Sequence, residues 1–438
     1  MTTTIDRTPA RAVTGARPGR GFRATLSSSV GFTLDFYDMY VAVFVAPVIA
    51  TLFFPSDNKA LSLAGAFSTL AATLLMRPIG AAVMGSIADR FGRRRAMILA
   101  LFGVGAVTCT IGALPVEASA GVIAPVLLLV LRLAQGMFVG GVFASTLTMA
   151  IETVRPRWRG LVSGIVGGGG TTVGSVLASL ALFLALQAFP GNQFAAWGWR
   201  AMFFAGGLPV VLSLVLVVFL EESPMWDRDA NKTRRPVREV LGAHRKLMLL
   251  NMPVVFGIAT HFLLTLGFLP TYLQVVNHLP PVTVSGLLVV VNLLTLAFGP
   301  LVGHLSQLYG RKRVMIAVAV LNTIALPVLF HLLAGLNGPQ ALVPVAVVTV
   351  AMSCLSVGAF GPMPVFLNQR FPTAVRASGV ALSINFSFAL AGLVPTLVNA
   401  WSGGVANLTT FVMGALVIGG LATVGGLLAV PEPARDLD

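Results

Sequence analysis

A short, strongly basic segment separates two long apolar runs in the first quarter of the sequence. The segment Gly85–Arg95 reads Gly-Ser-Ile-Ala-Asp-Arg-Phe-Gly-Arg-Arg-Arg, and the apolar runs 61–84 and 96–114 flank it. A helix of roughly 20 residues crosses the hydrocarbon core of a bilayer, so each run is long enough to span it. A basic turn bounded by glycines between two such runs is typical of a membrane hairpin whose loop faces the cytoplasm.

The same skeleton returns in the second half of the chain. Gly303–Arg313 begins 218 residues after Gly85 in a chain of 438 residues. A second match supports the repeat, because Arg159-Gly-Leu-Val-Ser-Gly and Arg376-Ala-Ser-Gly lie 217 residues apart. Two matches with nearly the same offset predict two related halves, a plan in which the substrate binds at the midplane between them.

The composition excludes a soluble domain. Hydrophobic residues make up 56% of the chain and charged residues 10%, whereas soluble domains carry about 25% charged residues. Cys109 and Cys354 both lie in apolar runs and are interpreted as packing residues rather than a disulfide. The sequence contains no metal-ligand cluster, catalytic triad or phosphate-binding loop, so neither an enzymatic activity nor a cofactor is expected.

The sequence predicts an all-α integral membrane protein with twelve transmembrane helices in two pseudo-symmetric six-helix bundles, 24–220 and 248–430. A disordered cytoplasmic tail (1–23), a charged central loop (221–247) and a short C-terminal tail (431–438) complete the chain. The predicted spans one to twelve cover residues 24–50, 61–87, 96–114, 121–148, 161–188, 200–220, 248–276, 282–308, 314–335, 342–368, 377–401 and 405–430.

The distribution of positive charge predicts the orientation. A net charge of +14 could indicate nucleic-acid binding, but 25 of the 29 lysine and arginine residues lie in the tails and in the loops on one side of the predicted bundle. Lys59 and Arg200 are the two that fall in or beside loops of the other side. This bias indicates a lipid bilayer rather than a nucleic acid as the partner, and it predicts that both termini are cytoplasmic.

Four charged residues lie within predicted spans: Asp35 and Asp38 in span one, Arg77 in span two and Arg132 in span four. A charge at the bilayer centre costs at least about 2.5 kcal/mol, so such residues mark functional sites by default. The two acids are three residues apart on one helix face, and because close carboxylates repel, at least one should take up a proton readily. Two acids and two arginines are formally neutral, which would let an anion compete for an arginine while an acid gains or loses a proton. Structural ion pairs are the alternative.

The second half has no charged residue within its spans and offers neutral polar residues instead. His261, Tyr272 and Asn385 are candidate substrate contacts, although a lone histidine on an apolar span is more often a core residue. Tyr272 follows Pro270 near the outer end of span seven, where a proline kink suits a gate.

These segments resemble a known family. Gly85–Arg95 is similar to the signature loop of the major facilitator superfamily, Gly303–Arg313 to its second-half copy, and residues 132–140 to its span-four motif, which is associated with proton coupling. More narrowly, residues 25–430 resemble the metabolite:proton symporter family. The supporting segments are Asp35-Phe-Tyr-Asp38, Leu52-Phe-Phe-Pro55, Arg77-Pro-Ile-Gly80, Ala196-Trp-Gly-Trp-Arg200, Leu220-Glu-Glu-Ser-Pro224, Leu269-Pro-Thr-Tyr-Leu273 and Phe371-Pro-Thr-Ala-Val-Arg-Ala-Ser-Gly379.

The resemblance implies a multi-pass symporter of the bacterial inner membrane that takes up a small organic anion or zwitterion with protons. Carboxylates and betaine-like metabolites are among the substrates of the family. It implies that Tyr37, Asp38 and Arg77 line the central cavity and that Arg132 serves proton coupling and substrate binding. It also implies a gating role for the two loops, with the residues Gly85, Asp89, Arg90, Gly92, Arg93, Gly303, Gly310 and Arg311.

The sequence departs from the family pattern in three places. Asp35 before Phe36 stands where the family usually has Glu before Trp, Val142 stands where it often has an acid, and Gln307 stands where the first loop has Asp89. The missing acid at 142 places more of the proton coupling on the two acids of span one. Residues 31–38 resemble the phosphate:proton and aromatic-acid symporters nearly as well as they resemble the metabolite:proton symporters. A phosphate or aromatic-acid proton symporter is the first alternative.

Two other functions are weighed against symport. Proton-driven efflux antiporters usually carry a Gly-Pro pair in span five, and residues 160–174 contain no proline. Buried arginines also suit anions better than cationic drugs. A non-transporting membrane sensor would be expected to carry a sizeable soluble domain, whereas the longest polar segments here are the central loop and the N-terminal tail.

Overall fold

The computed structural model describes residues 20–57, 59–91, 93–207, 211, 236–337, 339–372 and 375–432. Within these ranges the chain forms helices and no strand, which confirms the predicted all-α class. Ten helical segments are long and apolar enough to cross a bilayer, and a bent pair of helices supplies an eleventh. The predicted sixth span, 200–220, is described only to residue 207 and at residue 211, so most of it lies outside the described residues.

The N-terminal half begins with a broken span. The two helices of span one meet at Val45 at an angle of 57°. The helices of this half are Arg20–Phe44 and Ala46–Phe53 (span one), Lys59–Phe91 (two), Arg93–Gly112 (three), Glu117–Ala120, Ile123–Thr153 (four), Pro156–Trp158, Arg159–Gly164, Ile165–Gly169 and Gly170–Ala188 (five), and Phe194–Gly198 with Trp199–Ala205 at the start of span six.

The C-terminal half repeats the pattern with more interruptions. The helix Pro236–Gly242 lies within the predicted central loop, and span seven starts at Arg245, three residues earlier than predicted. The remaining helices are Arg245–Phe262, Leu263–Gly267 and Leu269–Val275 (seven), Pro281–Thr295 and Phe298–Tyr309 (eight), Arg311–Ala334 (nine), Pro339–Ala341, Leu342–Phe360 and Met363–Asn368 (ten), Arg376–Gly392 and Val394–Ser402 (eleven), and Val405–Leu428 (twelve).

Glycines bring spans two and four into backbone contact. A Cβ atom on Gly136 would collide with the Thr73 carbonyl, and one on Gly140 would collide with the Arg77 carbonyl. Small residues let helix backbones approach closely in a bilayer, where apolar side chains gain little by leaving the lipid. This packing fixes the height and rotation of Arg77 and Arg132 relative to span one.

Two pairs of spans make the most extensive contacts between the halves: span five packs on span eight, and span two packs on span eleven. Glycines line the first of these contacts, where Gly160 and Gly164 meet Gly303, and Gly168 meets Gly299. A Cβ atom on Gly160 would lie 2.5 Å from the Gly303 carbonyl oxygen, so a larger residue here would push the halves apart.

The two ends of the bundle differ in charge. We call the end that carries Arg159, Arg311 and Arg376 the basic end, and the other the opposite end. Between the ends, large apolar side chains such as Leu294 and Ile324 are more than half exposed on the outer surface. Such a surface is stable against acyl chains rather than water.

Candidate functional site

The first of two buried ion pairs joins spans one and two. Arg77 donates two hydrogen bonds to Asp35, from Nη2 to Oδ1 at 2.7 Å and from Nη1 to Oδ2 at 3.2 Å. Both side chains are 3% exposed. A bidentate pair is the strong geometry for a guanidinium and a carboxylate. The two helices make few direct contacts, so the long arginine side chain bridges the space between them.

The second acid, Asp38, belongs to a denser network. Its Oδ1 accepts hydrogen bonds from Gln135 Nε2 at 2.8 Å and from Thr108 Oγ1 at 3.2 Å. Arg132 Nη1 lies 3.7 Å from Asp38 Oδ2 and donates to Gln135 Oε1 at 2.9 Å. The same guanidinium lies over the ring of Phe203, 5.3 Å from its centroid. Spans one, three and four therefore meet at this carboxylate, and span six contacts the neighbouring arginine.

The acids are neighbours on span one, yet they face different arginines. The predicted set of two acids and two arginines is divided into an Asp35–Arg77 pair and an Asp38–Arg132 network. Both oxygens of the first acid depend on one arginine, whereas the second acid also accepts hydrogen bonds from neutral donors. A competitor for Arg77 would therefore strip Asp35 of these bonds and leave the second network in place.

Tyr37 lies between the two acids in sequence but points to span six. Its hydroxyl donates to the Met202 carbonyl at 2.8 Å. The ring lies beside Gly206, where a Cβ atom would be 3.0 Å from the ring edge. This contact fastens span one within its own half, and a substrate-binding role for Tyr37 stays a prediction.

Five aromatic side chains from both halves meet at the centre of the molecule. We call them the interhalf aromatic cluster: Phe36, Tyr40, Phe262, Phe360 and Phe388, all of them buried. The ring of Phe36 lies 5.2 Å from that of Phe262 and 6.2 Å from that of Phe360, between centroids. Phe36 directly follows Asp35 in the chain, so span one carries the first ion pair and the cluster at the same depth, on sides of the helix about 100° apart. The sequence analysis missed the cluster, because an apolar side chain in an apolar span carries no signal of the direction it faces.

The candidates of span seven point into their own half. His261 Nε2 lies 2.9 Å from the Leu416 carbonyl oxygen of span twelve, and because a carbonyl only accepts, this nitrogen carries the proton. The hydroxyls of Tyr272 and Thr409 lie 2.7 Å apart, and the tyrosine ring packs edge-on against Phe330. These contacts fasten span seven to spans nine and twelve. Substrate binding by His261 and Tyr272 stays a prediction.

Asn385 of span eleven occupies a different position. Its Nδ2 donates to the Ala381 carbonyl of its own helix at 2.9 Å, and its buried Oδ1 has no hydrogen-bond partner. It lies two turns before Gly392, which contacts Leu74 of span two. Residues seven apart share a helix face, so of the three second-half candidates Asn385 is the one on the face toward the N-terminal half.

In the first predicted gating loop, the backbone is helical up to Phe91 and again from Arg93. Gly92 lies outside the described residues, between the helices of spans two and three. For Gly85, Asp89, Arg90 and Arg93 the structure describes the helical backbone but not the contacts of the side chains. Their gating role stays a prediction.

The second gating loop is described. Gly310 has a φ of 97° at the turn between spans eight and nine, a conformation that favours glycine. Arg311 is buried and donates to Gln307 and, at 3.3 Å, to Gln369 Oε1. Gln307 Oε1 also accepts a hydrogen bond from the Gly160 N–H of the other half at 3.3 Å. The amide that replaces the expected acid therefore links the loop to the N-terminal half.

A buried ion pair between the halves lies at the basic end, and the sequence analysis did not identify it. Arg376 Nη1 lies 3.1 Å from Glu152 Oε1, with side chains 3% and 5% exposed. Ser163 adds two more links, since it donates to the Gly361 carbonyl at 2.7 Å and accepts from the Val365 N–H at 3.1 Å. One sequence signal could have indicated this ion pair: Glu152 is a single acid just before the arginines that follow span four. Among the described residues, spans four and five are therefore held against spans ten and eleven at the basic end.

This fold and its buried midplane charges define a membrane transporter built from two related halves. The model of the Major Facilitator Superfamily matches residues 28–396. The chain belongs to that superfamily, so its architecture is the twelve-helix one and it is a transporter rather than an enzyme. The resemblance carried by the two loops is confirmed.

Curated relatives cover most of the chain. It is 28% identical over 390 residues to the inner membrane metabolite transport protein YhjE of Escherichia coli K12, covering 86% of this chain and 87% of that protein. It is 27% identical over 399 residues to the proline/betaine transporter of Salmonella typhimurium, covering 87% of this chain and 78% of that protein. The structure of the proton:xylose symporter XylE bound to 6-bromo-6-deoxy-D-glucose matches with a TM-score of 0.76 at 18% identity, covering 94% and 96% of the two chains.

Proposed function

We propose that this transporter couples the uptake of a small carboxylate-bearing solute, an organic anion or zwitterion, to the entry of protons. The observation that carries the proposal is the bidentate Asp35–Arg77 pair, buried midway along span one at the depth of the interhalf aromatic cluster. Alternating access between two halves around a midplane site is the general working plan of this architecture.

Competition for Arg77 supplies the coupling. A substrate carboxylate can form the same two hydrogen bonds that Asp35 now accepts, and it would displace that side chain. The displaced carboxylate is buried, and a buried charge without a partner costs several kcal/mol. Asp35 therefore binds a proton when the substrate binds Arg77, and it releases the proton when it regains Arg77 on the other side. One proton then accompanies each substrate carboxylate.

We assign the Asp38–Arg132 network a positioning role in this exchange. Asp38 accepts hydrogen bonds from Thr108 and Gln135, and neither bond involves Arg77, so displacement of Asp35 from Arg77 leaves both donors in place. The network joins spans one, three and four, and it holds span one at a fixed rotation beside Arg77. It also keeps Arg132 in reach of the site as a second cation for a substrate with more than one carboxylate.

The aromatic cluster favours a zwitterion among the possible solutes. Aromatic faces attract quaternary and secondary ammonium groups, with about 2 kcal/mol or more per contact when the site is dry. An ammonium group among Phe36, Phe262 and Phe360 and a carboxylate on Arg77 would use both parts of the site. Relatives named as proline/betaine transporters agree with this choice. Asn385 Oδ1 offers a further acceptor on the facing half.

The orientation belongs to the same proposal. The positive charge of the basic end favours the cytoplasm, with both termini on that side, and a relative described as an inner membrane protein supports the bacterial inner membrane. The Glu152–Arg376 pair and the Gly160–Gly303 contact would then form the inner gate. Release of the solute to the cytoplasm requires both contacts to separate.

A ligand panel tests the proposal. The thermal shift of purified protein should be largest for glycine betaine or proline, smaller for succinate or citrate, and smallest for choline, which lacks the carboxylate. Arg77→Gln should abolish every shift, whereas Asp57→Asn, a change on an exposed acid, should preserve them. A dominant shift with phosphate or an aromatic acid would favour the alternative symporter, and a shift with choline as large as that with glycine betaine would refute the role of Arg77.

A further inference from the structure

A lateral groove between spans seven, eleven and twelve opens on the outer surface of the C-terminal half. Its volume is about 440 Å³. Its walls are almost wholly apolar and include Phe256 of span seven, Leu397 and Trp401 of span eleven, and Gly414 and Ile418 of span twelve. The groove shares no residue with the ion pairs or with the interhalf aromatic cluster.

The depth of the groove places it among acyl chains. Trp401 lies one residue before the end of span eleven and is 66% exposed, a position at which tryptophan sits at the headgroup level. Ile418, in the middle of span twelve, is 64% exposed. The groove therefore runs inward from the headgroup level of the opposite end, and its deep part is lined by Thr260, which is 1% exposed. An apolar cavity does not retain water.

One wall of the groove is a separate piece of span eleven. The first helix of span eleven, Arg376–Gly392, ends at Gly392. The second helix, Val394–Ser402, follows it and has Pro395 in its first turn. It packs against span two of the other half and against span twelve of its own half. The groove lies behind this piece, between it and span seven. A molecule that fills the groove would therefore stabilise the contact of the helix Val394–Ser402 with span two of the other half.

We propose that one acyl chain of a bilayer lipid, from the leaflet at the opposite end, binds in this groove as a discrete site. The chain enters beside Trp401, follows Leu397 and Ile418 inward, and takes the open space over Gly414, where a Cβ atom would meet nothing within 4 Å. The surrounding medium at this depth consists of acyl chains, so what a bound chain gains is close packing against the groove walls rather than transfer out of water. The site is independent of the proposed transport function.

Two matched substitutions on span twelve test the proposal. Gly414→Leu puts a side chain into the groove, whereas Gly425→Leu adds the same side chain to an exposed glycine of the same helix that lies outside it. The protein is reconstituted in phosphatidylethanolamine vesicles with a trace of phosphatidylcholine that carries a diazirine in one acyl chain. After illumination, cross-linked peptides from the segment 394–418 should dominate in the wild type. This cross-linking should fall severalfold in Gly414→Leu and stay unchanged in Gly425→Leu.

Native mass spectrometry after detergent exchange gives a second readout. The wild type and Gly425→Leu should retain one lipid more than Gly414→Leu. If Gly414→Leu fails to fold, Ala415→Phe fills the same groove from the next position. The proposal is overturned if groove-filling and control variants cross-link and retain lipid alike, since the groove would then hold ordinary annular lipid only.

Discussion

Replacing Asp35 with asparagine should separate the proton from the substrate. In the wild type both oxygens of this acid accept from Arg77, at 2.7 and 3.2 Å. Asparagine keeps the shape of the side chain but cannot gain or lose the coupled proton. The substrate carboxylate still finds Arg77, so exchange of substrate across the membrane should continue. Accumulation driven by a pH gradient should stop.

The size of the effect follows from the geometry of the pair. Both side chains are 3% exposed, and removing one partner of such a buried pair costs about 3–5 kcal/mol because the other charge is left unpaired. A substrate carboxylate removes that cost when it binds, so the variant should bind substrate at least as tightly as the wild type. Its affinity should also lose the wild-type pH dependence, in which affinity falls as the pH rises because a proton must bind with each substrate.

Reconstituted vesicles provide the assay. With the membrane potential clamped, a gradient of about two pH units is worth about 2.7 kcal/mol per proton, which allows about 100-fold accumulation at one proton per substrate. The wild type should approach this limit, and Asp35→Asn should reach the external concentration only. Counterflow exchange, which needs no net proton movement, should persist in the variant. The exposed acid Asp57 supplies the matched control, and Asp57→Asn should behave as the wild type.

Two outcomes would refute the reasoning. Gradient-driven accumulation by Asp35→Asn would show that the proton travels elsewhere, and Asp38→Asn would then be the next variant to measure. Loss of counterflow as well as accumulation, in a variant that is folded by its melting profile, would show that Asp35 supports substrate binding itself rather than its coupling to the proton.

Three further predictions concern the substrate cation, the gate and the topology. Arg77→Lys should weaken substrate binding at least about tenfold in a titration, since a hydrogen bond to a charged group contributes about 1.5–3 kcal/mol and lysine cannot form the planar pair; unchanged affinity would remove Arg77 from the site. Glu152→Gln should break the buried pair between the halves and increase alkylation of a cysteine at Ser163, which is 0% exposed in the closed form; equal labelling would mean that the pair does not hold the gate. Single cysteines should label from outside at Asp57 and not at Ala230, and the reverse pattern would invert the proposed orientation.

Some features of the site followed directly from the sequence. Asp35, Asp38, Arg77 and Arg132 stand out because charges are rare within spans, and their mutual neutrality was expected before any contact was known. Their division into two networks was not predictable. The partner of each acid depends on the rotation of spans one, two and four, and that rotation is fixed by close glycine contacts such as Gly136 against the carbonyl of span two.

The same limit applies to the second half and to the gate. His261 and Tyr272 were candidates because they are polar residues on an apolar span, but only packing could show that both face spans nine and twelve. The pairing of Glu152 with Arg376 joins residues 224 positions apart, and nothing in the local pattern of either span selects the other. The position of Asn385 on the interhalf face likewise became visible only with Gly392 against span two.

By itself the sequence determined the class of the protein, the two related halves and the candidate charges, because the bilayer imposes these requirements on each segment separately. A span must be apolar over a fixed length, and a loop on the cytoplasmic side is basic. A charge within a span is costly, so it marks a functional or structural role. The tertiary structure decided which side chains meet. A helix presents its residues in all directions around its axis, and only the close packing of twelve helices selects the directions that face one another.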